Sequence, residues 1–217
     1  MSLLALRGAS LGYGGPPVLT DVSLEIQAGE RVAVVGPSGA GKSTLLSALY
    51  QQAKGRGALI PQDGALVKQL SVYHNVYAGR LHRHGTLYNL ANLVRPMRAP
   101  VASVTAVLEQ LALVDKLFTP VGELSGGQQQ RTAVARALYH GGEVLLGDEP
   151  VSAVDGAQAR EVLAAITRAC RTVVLVMHDV ELALETVTRV IGVRQGRIIL
   201  DRPVSGLAAS DLDVLYR

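Results

Sequence analysis

Apolar positions along the chain follow two rhythms. Val22, Leu24 and Ile26 alternate with Ser23, Glu25 and Gln27, the period of a strand with one buried face. A run from Leu3 to Leu6 precedes them across a Gly12–Pro17 loop, so residues 3 to 35 read as β-structure. Val32–Val35, Val144–Leu146 and Thr172–Met177 are instead continuous apolar blocks, as strands buried on both faces of a parallel sheet are. Ala58–Ile60 adds a short strand after a break at Gly55–Gly57. Helical spacing separates these blocks: Leu45, Leu46 and Leu49 behind the first, then Ala133, Val134, Ala137 and Leu138. A further helix runs to about Cys170, with Val162, Ile166 and Cys170 on one face. Leu70 to Leu117 reads as mainly helical, interrupted around Arg95–Pro100. Val180–Thr188 is a helix, and Val190–Val193 with Arg197–Leu200 forms a hairpin across Gln195-Gly196. A short helix closes the chain.

Alternation of this kind predicts an α/β fold. Its chemistry is concentrated in Arg31 to Thr44, RVAVVGPSGAGKST. Gly36, four residues, then Gly41, Lys42 and Ser43 match the P-loop pattern, in which glycines let backbone N–H groups turn inward to ring a polyphosphate. The helix behind begins at the anion. Lys42 would then reach the β- and γ-phosphates and the Ser43 hydroxyl would ligate Mg²⁺. Asp148 and Glu149 end an apolar block, at the strand edge where open α/β sheets bind ligands. Asp148 is placed to hold Mg²⁺ and Glu149 to polarise a water; the same pair would also serve as a helix cap. His178 ends the next block, either as a structural residue or facing the same edge. In LSGGQQQR, Leu124 to Arg131, Ser125 and Gln128 have capping-box spacing, which needs no ligand, although the two glycines behind the cap bare amides that suit an anion.

Composition narrows the class. At 217 residues and 48% hydrophobic content the chain has room for one large core. Cys170 is the single cysteine, which excludes a disulfide framework and suits a reducing compartment. No uncharged apolar run approaches the roughly 18 residues of a membrane span, and the start lacks a signal-peptide layout, so a soluble chain is expected. The net charge is +3 but uneven. From Gly64 to Leu108 there is no acidic residue, while Lys68, Arg80, Arg83, Arg95 and Arg98 are present with His74, His82 and His84. Such a block suits a solvated face, anionic lipid or a partner surface. It carries no nucleic-acid-binding motif, and no nucleic acid partner is expected.

With LSGGQ in register with the Asp-Glu pair, the chain resembles the ATP-binding cassette (ABC) family over nearly its full length. The resemblance implies an α/β P-loop NTPase core with a mainly parallel sheet, an N-terminal antiparallel β-subdomain and an inserted helical subdomain. One domain, 1–217, is expected, with residues 1–62 and 141–217 as core and 63–140 as the helical part. ATP and Mg²⁺ are the implied cofactors and ATP hydrolysis coupled to transport the implied activity. By position, Tyr13 resembles the aromatic that stacks on adenine. Gly36, Pro37, Ser38, Gly39, Ala40, Gly41, Lys42, Ser43 and Thr44 resemble the phosphate loop, and Gln62 resembles the glutamine touching Mg²⁺ and the attacking water. Ser125, Gly126, Gly127 and Gln128 resemble the signature, Ser152 to Asp155 the D-loop, and His178 the switch histidine. Two cassettes of this family pair head to tail, so a second copy or a paralogue is the expected partner, together with membrane permease subunits and a periplasmic or lipoprotein solute-binding protein. The chain is then expected in the cytoplasm on the inner membrane face. Gln62–Leu70 and Asn75–Leu90 are similar to phosphonate-importer ATPases, which points to a phosphonate or related oxyanion as cargo; a soluble accessory cassette of a phosphonate-degrading complex is the alternative. Lys42 and Gln62 are only 20 positions apart, so the β-subdomain is expected to be reduced.

Overall fold

A computed structural model describes residues 2–53 and 55–216. They fall into two compact units: residues 1–59, 142–150 and 170–217, and residues 60–141 and 151–169.

The first unit carries the strands. β1 (Ser2–Leu11) and β2 (Leu19–Gln27) pair antiparallel as a two-stranded sheet, the reduced β-subdomain expected above. β3 (Arg31–Val35), β4 (Gly57–Ile60), β5 (Val144–Asp148), β6 (Thr172–Val176), β7 (Arg189–Arg194) and β8 (Arg197–Pro203) form a six-stranded sheet in the order β4-β5-β6-β3-β7-β8. β3 runs parallel to β6 and to β7, and β5 parallel to β6, whereas β8 turns back, antiparallel to β7. The continuous apolar blocks are thus the central strands, buried at every position of β5 and β6.

α1 (Lys42–Ala53) explains its own pattern. Leu45, Leu46, Leu49 and Ala53 are all buried, in one core with Leu4, Leu24 and Ile26 of the small sheet and Val32, Val34, Leu146 and Val174 of the large one. Each such leucine contributes about 2 kcal/mol of burial. Gln52 ties the helix to β1, its Oε1 accepting the Ala5 N–H at 3.0 Å.

The hairpin turn is as expected, with Gln195 and Gly196 both at positive φ, 47° and 73°, the primed geometry that follows strand twist. α7 (Val180–Thr186), capped by the Asp179 carboxylate, stops short of Thr188 because Arg189 already begins β7. Cys170 is buried, but it lies one residue beyond the preceding helix rather than on its face. The chain ends in a 3-10 turn, Ala209–Leu215.

The second unit is helical: α2 (Val72–Tyr77), α3 (Thr86–Val94), α4 (Arg98–Glu109), α5 (Gly126–His140) and α6 (Gly156–Ala169). The stretch read as mainly helical is more broken than expected. Ala78–Arg83 is a 3-10 segment with Arg80 off helical geometry, and Gly85 starts a new helix. Close packing explains the first break: a Cβ at Gly79 would come 2.6 Å from the Arg136 carbonyl oxygen. Leu138 of the expected apolar stripe is only half-buried, while Thr132 and Tyr139 are buried. Among the described residues no helix is long and apolar enough to cross a membrane.

Candidate nucleotide site

The phosphate loop leaves β3 at Gly36, whose φ of +145° and contact with β7 exclude a side chain, since a Cβ there would overlap the Val193 carbonyl oxygen. Gly41, at φ +106°, would press a Cβ to 2.8 Å from Leu19. Leu45 N–H donates to Gly41 O at 2.9 Å. The N–H groups of Lys42, Ser43 and Thr44 precede it at the helix start, where a bound anion is their natural acceptor. Lys42 is 6% exposed and folds back over the loop, donating to Gly36 O and Pro37 O, both at 2.9 Å. Burial lowers its pKa, against the pull of Glu149 and Asp148. Its charge is thus already desolvated, and loop carbonyls hold the place that phosphate oxygens would take.

Asp148 ends β5. It is 8% exposed, the Ser43 hydroxyl is near enough to favour its charged form, and its Oδ1 is buried without a partner. Burial raises its pKa, with Ser43 opposing, Glu149 adding to the rise, and Lys42 and His178 opposing. An orphaned carboxylate oxygen beside a hydroxyl is an oxygen donor set that fits Mg²⁺. The strain has a stability consequence. Because the native carboxyl binds its proton more tightly than the unfolded one, native stability falls as pH rises from the ordinary carboxylate range to the raised pKa, and stays lowered above it. Asp148→Asn is expected to melt higher than the parent at neutral pH in chelator, and the gap should close as pH falls through that window. A gap independent of pH in melting curves would contradict the assignment.

Glu149 adopts φ +52°, a left-handed conformation rare for a glutamate. Its N–H donates to Val176 O at 3.1 Å, which secures the turn to β6. Its Oε1 lies 2.6 Å from His178 Nε2. A carboxylate only accepts, so His178 donates through Nε2. The carboxylate is mostly enclosed while the imidazole is about half exposed, 17% and 46%. Lys42, Ser43, Asp148, Glu149 and His178 are therefore linked through this hydrogen-bonding and electrostatic network in the first unit. Tyr13 lies on the Gly12–Pro17 loop of the same unit with 71% of its surface exposed.

The other sequence-predicted residues belong to the second unit. Ser125 caps α5 with the full capping box: Gln128 N–H to Ser125 Oγ at 3.3 Å and Ser125 N–H to Gln128 Oε1 at 3.0 Å. Gly126 and Gly127 occupy the first turn behind it. Gln62 and Gly126 line one cavity of about 180 Å³ with Asp63, Lys68 and Ser152. The loop behind Gln62 is pinned from two sides. Arg136 donates to Ala65 O at 2.6 Å and Gly64 O at 2.7 Å, and buried Asn75 bonds Val67, Leu70 and Ser71 backbone. Asp155 accepts the Gln158 N–H at 3.0 Å as the cap of α6. Sequence reasoning passed over Gln130, Arg136 and Asn75, which are polar residues on helices that gave no pattern signal of their own. It also missed Tyr216, whose pKa burial raises, with the Gly36 backbone opposing.

Comparison with known proteins agrees with this geometry. The family profile described as "ABC transporter" matches residues 19–152. The chain is 42% identical to the phosphonates import ATP-binding protein PhnC of Pseudomonas putida over 97% of its own length and 88% of that protein's. It is 41% identical to the PhnC of Pseudomonas entomophila over 98% and 91%. The solved dimeric structure of a bacterial ABC transporter cassette superimposes with a TM-score of 0.80 at 23% identity, covering 94% of this chain and all of that one. At that identity the superposition speaks for the fold alone, but family profile, relatives and phosphate loop agree: the chain belongs to the ABC transporter family.

Proposed function

We propose that the chain is the ATP-hydrolysing subunit of an importer for a phosphonate or related oxyanion, on the inner face of the cell membrane, beside a separate permease and a periplasmic or lipoprotein solute-binding protein. The observation that carries the cargo is the 42% identity to a phosphonates import ATP-binding protein over 97% of the chain.

In this reading residues 1–217 form one cassette. Gly36 to Thr44, with Pro37, Ser38, Gly39 and Ala40, wrap the phosphates of ATP, and Lys42 exchanges its two loop carbonyls for phosphate oxygens. Tyr13 stacks on the adenine ring. Ser43 and Asp148, with Gln62, would hold Mg²⁺, which when bound neutralises phosphate charge. Glu149 takes a proton from the attacking water, and His178 keeps its carboxylate oriented through the 2.6 Å hydrogen bond. Ser125, Gly126, Gly127, Gln128 and Asp155 serve the ATP held by a second copy in a head-to-tail pair. Amides at a helix start there meet phosphate charge, so ATP holds the pair together and hydrolysis releases it.

The permease docks on the second unit. An apolar groove there is lined by Leu70, Tyr77, Leu81, Leu90 and Leu93, with Leu87 and Val94 84% and 86% exposed beside it and the acid-free block around it. Arg80 stacks on Tyr139, 4.3 Å from the ring centre, so it is held in packing; Arg95 and Arg98 are exposed. Reversing both to Glu is expected to cut co-purified permease about tenfold and to abolish stimulation of turnover by phosphonate-loaded binding protein, with ATP binding retained. Undiminished co-purification removes the docking site. Stimulation by sulfate but not by phosphonate removes the cargo.

A further inference from the structure

The residues behind the LSGGQ stretch have tasks that the capping box does not use. Gln129 Nε2 donates to Leu124 O at 2.9 Å, and Arg131 Nη1 to Leu111 O at 2.9 Å, so each fixes backbone beside α5. Gln130, between them, reaches the turn that follows Pro150. Its Oε1 accepts the Ala153 N–H at 2.7 Å and its Nε2 donates to Ser152 Oγ at 3.1 Å. One turn up the same helix face, Gly127 approaches that turn so closely that a Cβ there would stand 3.0 Å from Ala153 O. A single face of α5 therefore grips two consecutive residues of the turn, by two hydrogen bonds and a backbone contact. Val154 alone separates those residues from Asp155, which caps α6.

We propose that Gln130 is a positioning residue that makes the Ser152–Ala153 turn and the N-terminal turn of α5 one rigid piece. The proposal rests on the reading that Ser125–Gly127 serve the ATP of a second copy. When that ATP docks on the α5 tip, the Ser152–Asp155 segment moves with it, and the pair reaches its hydrolytic arrangement as a unit. With the grip released, the tip still meets ATP but the turn no longer follows. Gln130 touches no substrate in this scheme; its hydrogen bonds to the Ala153 N–H and the Ser152 hydroxyl hold the turn.

The test compares Gln130→Met, which keeps length and loses both hydrogen bonds, with Gln130→Glu in the full chain. In the Glu variant a carboxylate still accepts the Ala153 N–H, and the Ser152 hydroxyl turns donor. Expected for Met is a kcat for ATP about tenfold below the parent with KM within twofold, and for Glu at least half the parental kcat. A Met variant with parental kcat, a KM that rises in step with the fall in kcat, or a Glu variant as impaired as Met overturns the proposal. Amide hydrogen exchange at Ala153 gives a second reading that needs no turnover, with about tenfold faster exchange expected in Met and parental exchange in Glu. Parental exchange in Met also overturns it. A parent chain that hydrolyses no ATP would count against the proposed function, and the exchange comparison would still decide the role of Gln130.

Discussion

Glu149→Gln is expected to leave ATP binding intact while lowering turnover by about 10²- to 10⁴-fold, the range that a positioned general base contributes. The substitution keeps the shape of a side chain that is only 17% exposed and keeps an oxygen to accept from His178 Nε2. What it removes is the capacity to take a proton from water. The left-handed backbone at residue 149 is unchanged, so the variant should melt near the parent, which separates loss of chemistry from loss of fold. Steady-state hydrolysis and equilibrium ATP titration on one preparation make the check. Turnover within a few-fold of the parent would take the base role from Glu149.

Lys42→Met is expected to act on the opposite quantity. Hydrogen bonds to charged groups contribute about 1.5–3 kcal/mol each, so loss of the ammonium should weaken ATP affinity by roughly 10- to 150-fold. Stability should respond little, because two terms oppose. Removing a charge that burial already disfavours relieves desolvation, whereas Gly36 O and Pro37 O lose the donor that now satisfies them. A melting temperature within a few degrees of the parent beside a large rise in Kd is the predicted pattern. Unchanged affinity, or an affinity loss matched by unfolding at the assay temperature, would contradict it.

The strands that position this site were readable because burial on both faces leaves a continuous apolar block. β3, β5 and β6 are such blocks, and each runs to the sheet edge that carries Gly36, Asp148 and His178. The hairpin was readable from Gln195-Gly196, and the α5 start from Ser125 and Gln128, since turn and cap chemistry is local. The bend at Ala78–Arg83 was not, because its cause is an approach to Arg136, far along the chain. The left-handed φ of Glu149 has no local signature, since it is held by a hydrogen bond to β6. Asp155 has a local task that the pattern did not announce, its carboxylate accepting the Gln158 N–H to cap α6. Gln130 read as one polar position in a run of glutamines because its partners arrive 22 and 23 residues later.

Small-angle scattering of the Glu149→Gln chain with and without ATP and Mg²⁺ bears most directly on the pairing of two copies around nucleotide. A scattering mass that moves from the chain's 22.8 kDa to twice that value on adding ATP, and returns when nucleotide is removed, is the predicted result. A mass that stays at one chain under saturating ATP would contradict it.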